Sequence, residues 1–331
     1  MENIVINTVE MHTGGEPLRI IKSGYPEIVG KTILDKRKFV KDNLDALRKF
    51  LIYEPRGHYD MYGAVQVVPD IANADVAFLF MHNEGYSTMC GHAIVALGRY
   101  CVDNKLVPYK EPETEINIQC PCGLVKAFVN CANGLTSSVR FRSVPSFTVK
   151  SDIEVSVPAY GTLKVDLAYG GAFYAFLPLN DVGLNENSPI EQIKSAASAI
   201  ASVVKGQEAI VHPESADLSY LYGVIFTDDM TGPYFNLTVF ADAQVDRSPC
   251  GSGSTARVAL LYHKKLIGLG ESVEIKNPLT NSSFKATAVE ETHCGEYRAV
   301  RVEICGNANY TGTATFTAEA QDGLKEGFLI A

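Results

Sequence analysis

Hydrophobic and polar positions repeat one arrangement twice along this chain. DVAFLFMHN, from Asp75, and YFNLTVFADAQVD, from Tyr234, are rich in Val, Phe and Thr and predict strands. Each leads into a loop carrying Cys-Gly and then into apolar residues at helical spacing, MCGHAIVALGRY at 89–100 and PCGSGSTARVALLY at 249–262. Arg99 in the first copy and Lys264 and Lys265 in the second are cations that suit a helix C-terminus. Shorter runs starting at Ile116, Gly123, Ser138, Thr162, Ser283 and Tyr297 predict further strands separated by turn residues. Elsewhere only 187–204 reads as a substantial helix. The expected fold class is α/β, of the α+β kind, with two pseudo-symmetric strand-rich halves each wrapped around a central helix. No βαβ series suggests a doubly wound sheet. No low-complexity run or Pro/Ser-rich linker divides the halves, so the internal symmetry sets the expected boundary: 1–148 plus 315–331 around Cys90, and 149–314 around Cys250.

Length and composition support two buried cores, since the chain has 331 residues and 46% are hydrophobic. A formal net charge of −9 disfavours a nucleic-acid or anionic-membrane partner, whose affinity would come from clustered cations. No apolar run approaches the ~18–20 residues that span a bilayer. The N-terminal sequence places acids and a histidine where a signal peptide would need an apolar core, so the expected address is cytoplasmic. Eight cysteines in a reducing compartment are expected to be free thiols, and a free cysteine is by default a small buried hydrophobe.

Cys90 and Cys250 depart from that default. A thiol just before a helix meets unpaired backbone N–H groups and the positive end of the helix dipole, which favour thiolate and create a base near neutral pH. The glycine after each cysteine permits close backbone approach, and the N–H groups of Gly91 and His92, and of Gly251 and Ser252, make two carboxylate sites. His92 is a candidate general acid or substrate ligand, and Asp246 a candidate partner for a substrate ammonium, with a loop hydrogen bond as its plain alternative. His12 and His58 sit in loop signatures, where a structural hydrogen bond and pocket lining are both open readings. His82, His212, His263 and His293 read as structural or solvated. Cys120-Pro-Cys122 with Cys131 lacks the second ligand pair of a zinc site, and no metal site is expected. CGSGST lacks the lysine of a phosphate-binding loop.

MCGH at 89–92, DRSPCGSG at 246–253, HTGGEP at 12–17 and EPRGHYDM at 54–61 resemble the proline racemase family, which includes proline racemases, hydroxyproline epimerases and trans-3-hydroxy-L-proline dehydratases. The resemblance runs through YTGTATF at 310 to the C-terminal GFLIA. It implies a diaminopimelate-epimerase-like fold, no cofactor, a small-molecule substrate, commonly a homodimer, and an active site in the cleft between the halves. By that resemblance the opposed acid/base pair falls on Cys90 and Cys250. The carboxylate-holding amides fall on Gly91, His92, Gly251 and Ser252, and the groups at the ring nitrogen on His92 and Asp246. Packing aromatics fall on Phe240 and Tyr62, where a core tyrosine is the plain alternative.

The body of the chain, including HNEGYSTMCGHA at 82 and AYGGAFYAF at 168, looks most like animal-type trans-3-hydroxy-L-proline dehydratases, which generally carry Thr where this chain has Cys250. Inversion at Cα needs one group to remove a proton and another to return one on the opposite face, which two thiols can do. Elimination needs only one base. The expected activity is therefore proline or hydroxyproline racemisation/epimerisation, with trans-3-hydroxy-L-proline dehydration as the alternative.

Overall fold

The computed structural model describes residues 4–228, 232–241 and 243–330. The chain separates into two compact units, Met1–Val139 with Asn307–Ala331, and Arg140–Gly306.

The first unit contains β1 (Ile4–Thr13), β2 (Glu16–Ser23), α1 (Ile33–Asn43), α2 (Asp45–Ile52), β3 (Gly63–Val67), β4 (Val76–Met81), α3 (Gly91–Asp103), β5 (Glu113–Cys120) and β6 (Gly123–Ala132). The strand β7 (Leu135–Arg142) spans the boundary, and β17 (Ala308–Ala318) returns to pair with β1. Hydrogen bonding runs β17-β1-β2-β3-β4-β5-β6, antiparallel except for the parallel pairs β2/β3 and β4/β5.

The second unit contains β8 (Phe147–Val157), β9 (Gly161–Tyr169), β10 (Phe173–Pro178), α4 (Ile190–Gln207), β11 (Leu221–Thr227), β12 (Tyr234–Phe240), β13 (Gln244–Val245), α5 (Gly251–His263), β14 (Ser272–Lys276), β15 (Ser283–Cys294) and β16 (Tyr297–Gly306). Its order β8-β9-β10-β11-β12-β14-β15-β16 has the same sequence of pairings, with parallel pairs at β10/β11 and β12/β14.

Parallel neighbours require a crossover, and each unit has two. In the first, α1 with α2 connects β2 to β3, and α3 connects β4 to β5. In the second, α4 and α5 do the same between β10 and β11 and between β12 and β14. The internal symmetry anticipated from the Cys-Gly repeats is therefore a symmetry of strand pairing as well. Two βαβ crossovers per unit exceed what the sequence suggested, because α1 and α2 escaped notice: ILDKRKFVKDN is charged on most faces and buries only Ile33, Lys36 and Val40.

The two repeat helices are each 13 residues long, and each buries eleven of them. Such near-complete burial explains the run of Ala, Val, Leu and Gly: a helix enclosed by its sheet has no polar face to expose. Gly170, between β9 and β10, lets the sheet approach α5 closely; a Cβ there would lie 2.4 Å from the Ser252 carbonyl oxygen. All eight cysteines are free, and Cys101, Cys120, Cys131 and Cys294 are buried packing.

Candidate active site

In the first unit β4 ends in a loop that delivers Cys90 to the N-cap of α3. The Cys90 backbone is extended, and its Sγ accepts from Ala93 N–H at 3.4 Å, the capping bond expected of a helix-start thiol. Gly91 and His92 occupy the first turn, where N–H groups have no intrahelical acceptor. The His92 ring lies beside the thiol, with Nδ1 3.2 Å from Sγ. Thr13 Oγ1 donates to the His92 carbonyl at 2.9 Å, so the HTGGEP signature anchors the helix start.

Tyr62 lies edge-on to His92 at 4.9 Å between ring centroids and stacks on His82 at 5.8 Å, while its hydroxyl shares a short hydrogen bond with Ser87 Oγ. Burial drives both histidines down to about 3, so neither carries charge at neutral pH. Arg48 and Arg37 add to the effect on His82. His92 is therefore a neutral orienting group or ligand, with no imidazolium to serve as the general acid that its position suggested.

His12 and His58 line one open cavity of about 650 Å³ in this unit, beside the Arg19–Glu10 ion pair. Each also makes a local bond: Gly15 N–H donates to His12 Nδ1 at 3.2 Å, and His58 Nδ1 lies 2.7 Å from the Tyr59 carbonyl.

In the second unit the loop from β13 places Cys250 at the N-cap of α5, with φ at +61°, a left-handed conformation that is strained for a non-glycine residue. Four side chains hold that loop. Asp246 Oδ1 accepts from Ser248 N–H at 2.8 Å and Ser248 Oγ at 2.7 Å, and Cys250 N–H donates to Ser248 Oγ at 3.1 Å. Asn277 Nδ2 donates to the carbonyls of Asp246 and Ser248, and Asn236 Nδ2 to that of Pro249. Gly253 follows from the same geometry: a Cβ would lie 3.0 Å from Cys250 Sγ and 2.4 Å from Ile225 Cδ1.

Cys250 Sγ faces Tyr174 Oη at 3.6 Å and Ser252 Oγ at 3.9 Å, and those hydroxyls bond each other at 2.7 Å. The helix start, through the Gly253 N–H, lowers this thiol only in part. Burial, with the Asp246 carboxylate next in effect, pushes it up to about 12, while the nearby hydroxyls only partly offset that rise. Cys250 is a thiol at neutral pH. Burial also raises Asp246, to about 6. Phe240 sits at the end of β12, 5.4 Å from Tyr222 between ring centroids.

The structure thus gathers Cys90, Gly91, His92 and Tyr62 in one unit, and Cys250, Gly251, Ser252, Asp246 and Phe240 in the other. Thr13, Ser87, Tyr174, Ser248 and Asn277 are supporting residues that the sequence reading missed. Thr13, Ser87 and Ser248 lie inside quoted signatures and were within reach; Tyr174 lies inside the quoted AYGGAFYAF, but nothing along the chain relates it or Asn277 to Cys250.

A family profile described as "Proline racemase" matches residues 8–329. The chain belongs to the proline racemase family. A trans-L-3-hydroxyproline dehydratase of Saccoglossus kowalevskii is 54% identical over 97% of this chain and 100% of its own length. The solved structure of a hydroxyproline epimerase from Agrobacterium vitis, with bound trans-4-OH-L-proline, superposes with a TM-score of 0.92 at 27% identity, covering 99% of this chain and 95% of that one. A Bacillus anthracis phenazine biosynthesis protein of the PhzF family shares the fold alone, with a TM-score of 0.59 at 12% identity over 96% of this chain and 100% of that one. The diaminopimelate-epimerase-like α/β class and the reading as a proline racemase family enzyme both stand. No helix among the described residues is long and apolar enough to cross a membrane.

Proposed function

We propose that this proline racemase family member removes the Cα proton of a proline-ring amino acid and inverts that carbon, with Cys90 and Cys250 acting on opposite faces of one ring. The observation that carries this reading is the matched pair of cysteines, each capping a buried 13-residue crossover helix. Gly91, His92, Gly251 and Ser252 N–H groups hold the carboxylate and stabilise the negative charge that spreads from Cα into it. Asp246 and His92 meet the ring nitrogen, and Phe240 and Tyr62 pack on the ring. Cys250, held as a thiol by its burial, serves as the acid in the direction in which Cys90 is the base. A proton leaves Cα for one sulfur and another arrives from the opposite sulfur, and each well-placed partner contributes ~10²–10⁴-fold.

The Saccoglossus relative favours a second reading, dehydration of trans-3-hydroxy-L-proline. In that substrate the hydroxyl and the Cα hydrogen share a ring face. Cys90 alone can take the proton and return it to the departing hydroxyl; the C–H electrons form the ring double bond, water leaves, and the product settles as pyrroline-2-carboxylate.

Incubation with L-proline, trans-4-hydroxy-L-proline and trans-3-hydroxy-L-proline in D₂O, read by NMR and chiral analysis, decides between them. Deuterium at Cα with inversion supports the two-thiol reading, and loss of the 3-hydroxyl supports the second. Neither change in any substrate overturns both. Cys90→Ser is expected to nearly abolish either activity, whereas Cys250→Thr is expected to stop inversion and leave elimination. Full inversion by Cys250→Thr would sink the two-thiol assignment.

A further inference from the structure

Beside Cys250 lies a patch of polar atoms that the preceding chemistry leaves unused. In the β12/β13 hairpin Phe240 pairs directly with Gln244, and the Asp246 N–H donates to the Thr238 carbonyl at 3.0 Å. Cross-strand partners, and residues two apart on one strand, share a face. Thr238, Phe240, Gln244 and Asp246 therefore form two rungs on the same side of the hairpin. That side looks onto the first turn of α5. Ile225, the β11 partner of Thr238, reaches within 2.4 Å of where a Gly253 Cβ would be, and Gly253 adjoins Cys250 Sγ.

Of the four, Asp246 and Phe240 already have roles toward the ring nitrogen and ring face. Thr238 and Gln244 are both 0% exposed, yet among the described residues Thr238 Oγ1 and both Gln244 amide atoms, Nε2 and Oε1, have no hydrogen-bond partner. Burying an amide with neither end bonded is costly, and such groups are rare in folded proteins. Nothing in the packing requires polarity at these two positions; Leu and Val would fill similar volumes. A donor and an acceptor held side by side suit a hydroxyl group, which both donates and accepts.

We propose that Gln244 and Thr238 form a hydroxyl-reading subsite, in which the ring hydroxyl of a hydroxyproline donates to Gln244 Oε1 and accepts from Gln244 Nε2 or Thr238 Oγ1. The assignment rests on the proposed seating of the ring, nitrogen toward Asp246 and face on Phe240, which leaves ring carbons opposite the other two members of the patch. It names the substrate class as hydroxylated proline rings over proline itself. A site built to bond a hydroxyl discriminates strongly against an analogue that lacks one, because its own buried groups then stay unpaired.

The test compares selectivity in Thr238→Val and Gln244→Leu. For each protein, kcat/KM is measured for trans-3- and trans-4-hydroxy-L-proline, and L-proline is measured by its turnover or, if it is not turned over, by its inhibition constant. The preference for the better hydroxylated substrate over L-proline is expected to fall by about tenfold or more in each variant, the loss of one to two buried hydrogen bonds. Melting temperatures at or above that of the parent are expected alongside, since each change removes an unbonded buried polar group. A merely structural role would change stability and leave the preference alone. An unchanged preference in a folded Thr238→Val or Gln244→Leu protein overturns the subsite while leaving the parent activity, and so the proposed reaction, intact. A parent protein that processes none of the three compounds and binds none of them overturns both.

Discussion

At the scale of single residues, environment outweighs position. Cys250 and Cys90 have the same place at a helix start, and the sequence makes them look alike. Cys90 accepts the Ala93 N–H bond, whereas Cys250 is turned by its positive φ toward Tyr174 and Ser252, and burial beside Asp246 keeps it protonated. Asp246 is brought within reach of ordinary pH. Burial raises it from 3.8 to about 6, so between those values the folded chain binds a proton that the unfolded chain has lost. Stability therefore falls as pH rises through that window, and the cost persists above it. Asp246→Asn keeps the oxygen that accepts from Ser248 and removes the buried charge. Its melting temperature is expected to exceed that of the parent at pH 7.5 and to match it more closely near pH 4, a comparison read by thermal melts at both values. In the parent, kcat/KM for an imino-acid substrate is expected to drop below about pH 6, where a protonated Asp246 no longer pairs with the ring ammonium. A profile flat down to pH 5 would remove Asp246 from the substrate's nitrogen. The two cysteines and the Asp were legible because the signatures carry them; the setting of Cys250 was not, since it depends on Tyr174 and on a backbone angle.

At the scale of elements, the sequence reveals what is apolar and periodic and hides what is amphiphilic. The strands before each cysteine and helices α3 and α5 were legible because enclosure by a sheet makes most of their residues apolar. Helix α4 was legible from its Ala and Ile spacing, with the observed span Ile190–Gln207 shifted a few positions from 187–204. Helix α1 was not, because its core-facing positions are few and its exposed ones carry most of its charge. Its local signal was nevertheless present. Thr32 and Asp35 form a capping box, in which Asp35 N–H donates to Thr32 Oγ1 at 3.1 Å and Thr32 N–H donates to Asp35 Oδ2 at 3.0 Å. Thr32→Ala is expected to cost about 1 kcal/mol, read as a shift of the denaturation midpoint at constant slope. Arg37 of α1 donates to the Tyr86 carbonyl in the loop before Cys90, but Thr32 itself bonds within its own capping box, so turnover by the folded variant is expected to match the parent.

At the scale of the whole molecule, duplication of one topology gives each unit one thiol at one helix start, and neither unit has both. A reaction that takes a proton from one face of a carbon and returns another to the opposite face has a use for that division. Kinetics can test it without reference to how the units are arranged. Two groups that serve one proton-transfer step are strongly non-additive: once either is gone, removing the other costs little more. Cys90→Ser and Cys250→Ser are each expected to reduce inversion of the best substrate by ~10²–10⁴-fold. The double variant is expected to be no slower than the worse single variant by more than a few-fold. If the losses instead multiply, the thiols act in separate steps, and inversion by a paired acid and base on one ring is wrong. Elimination of trans-3-hydroxy-L-proline serves as the internal contrast. Cys90→Ser is expected to remove it and Cys250→Ser to spare it, so the same three proteins show whether the second unit's thiol contributes to inversion alone.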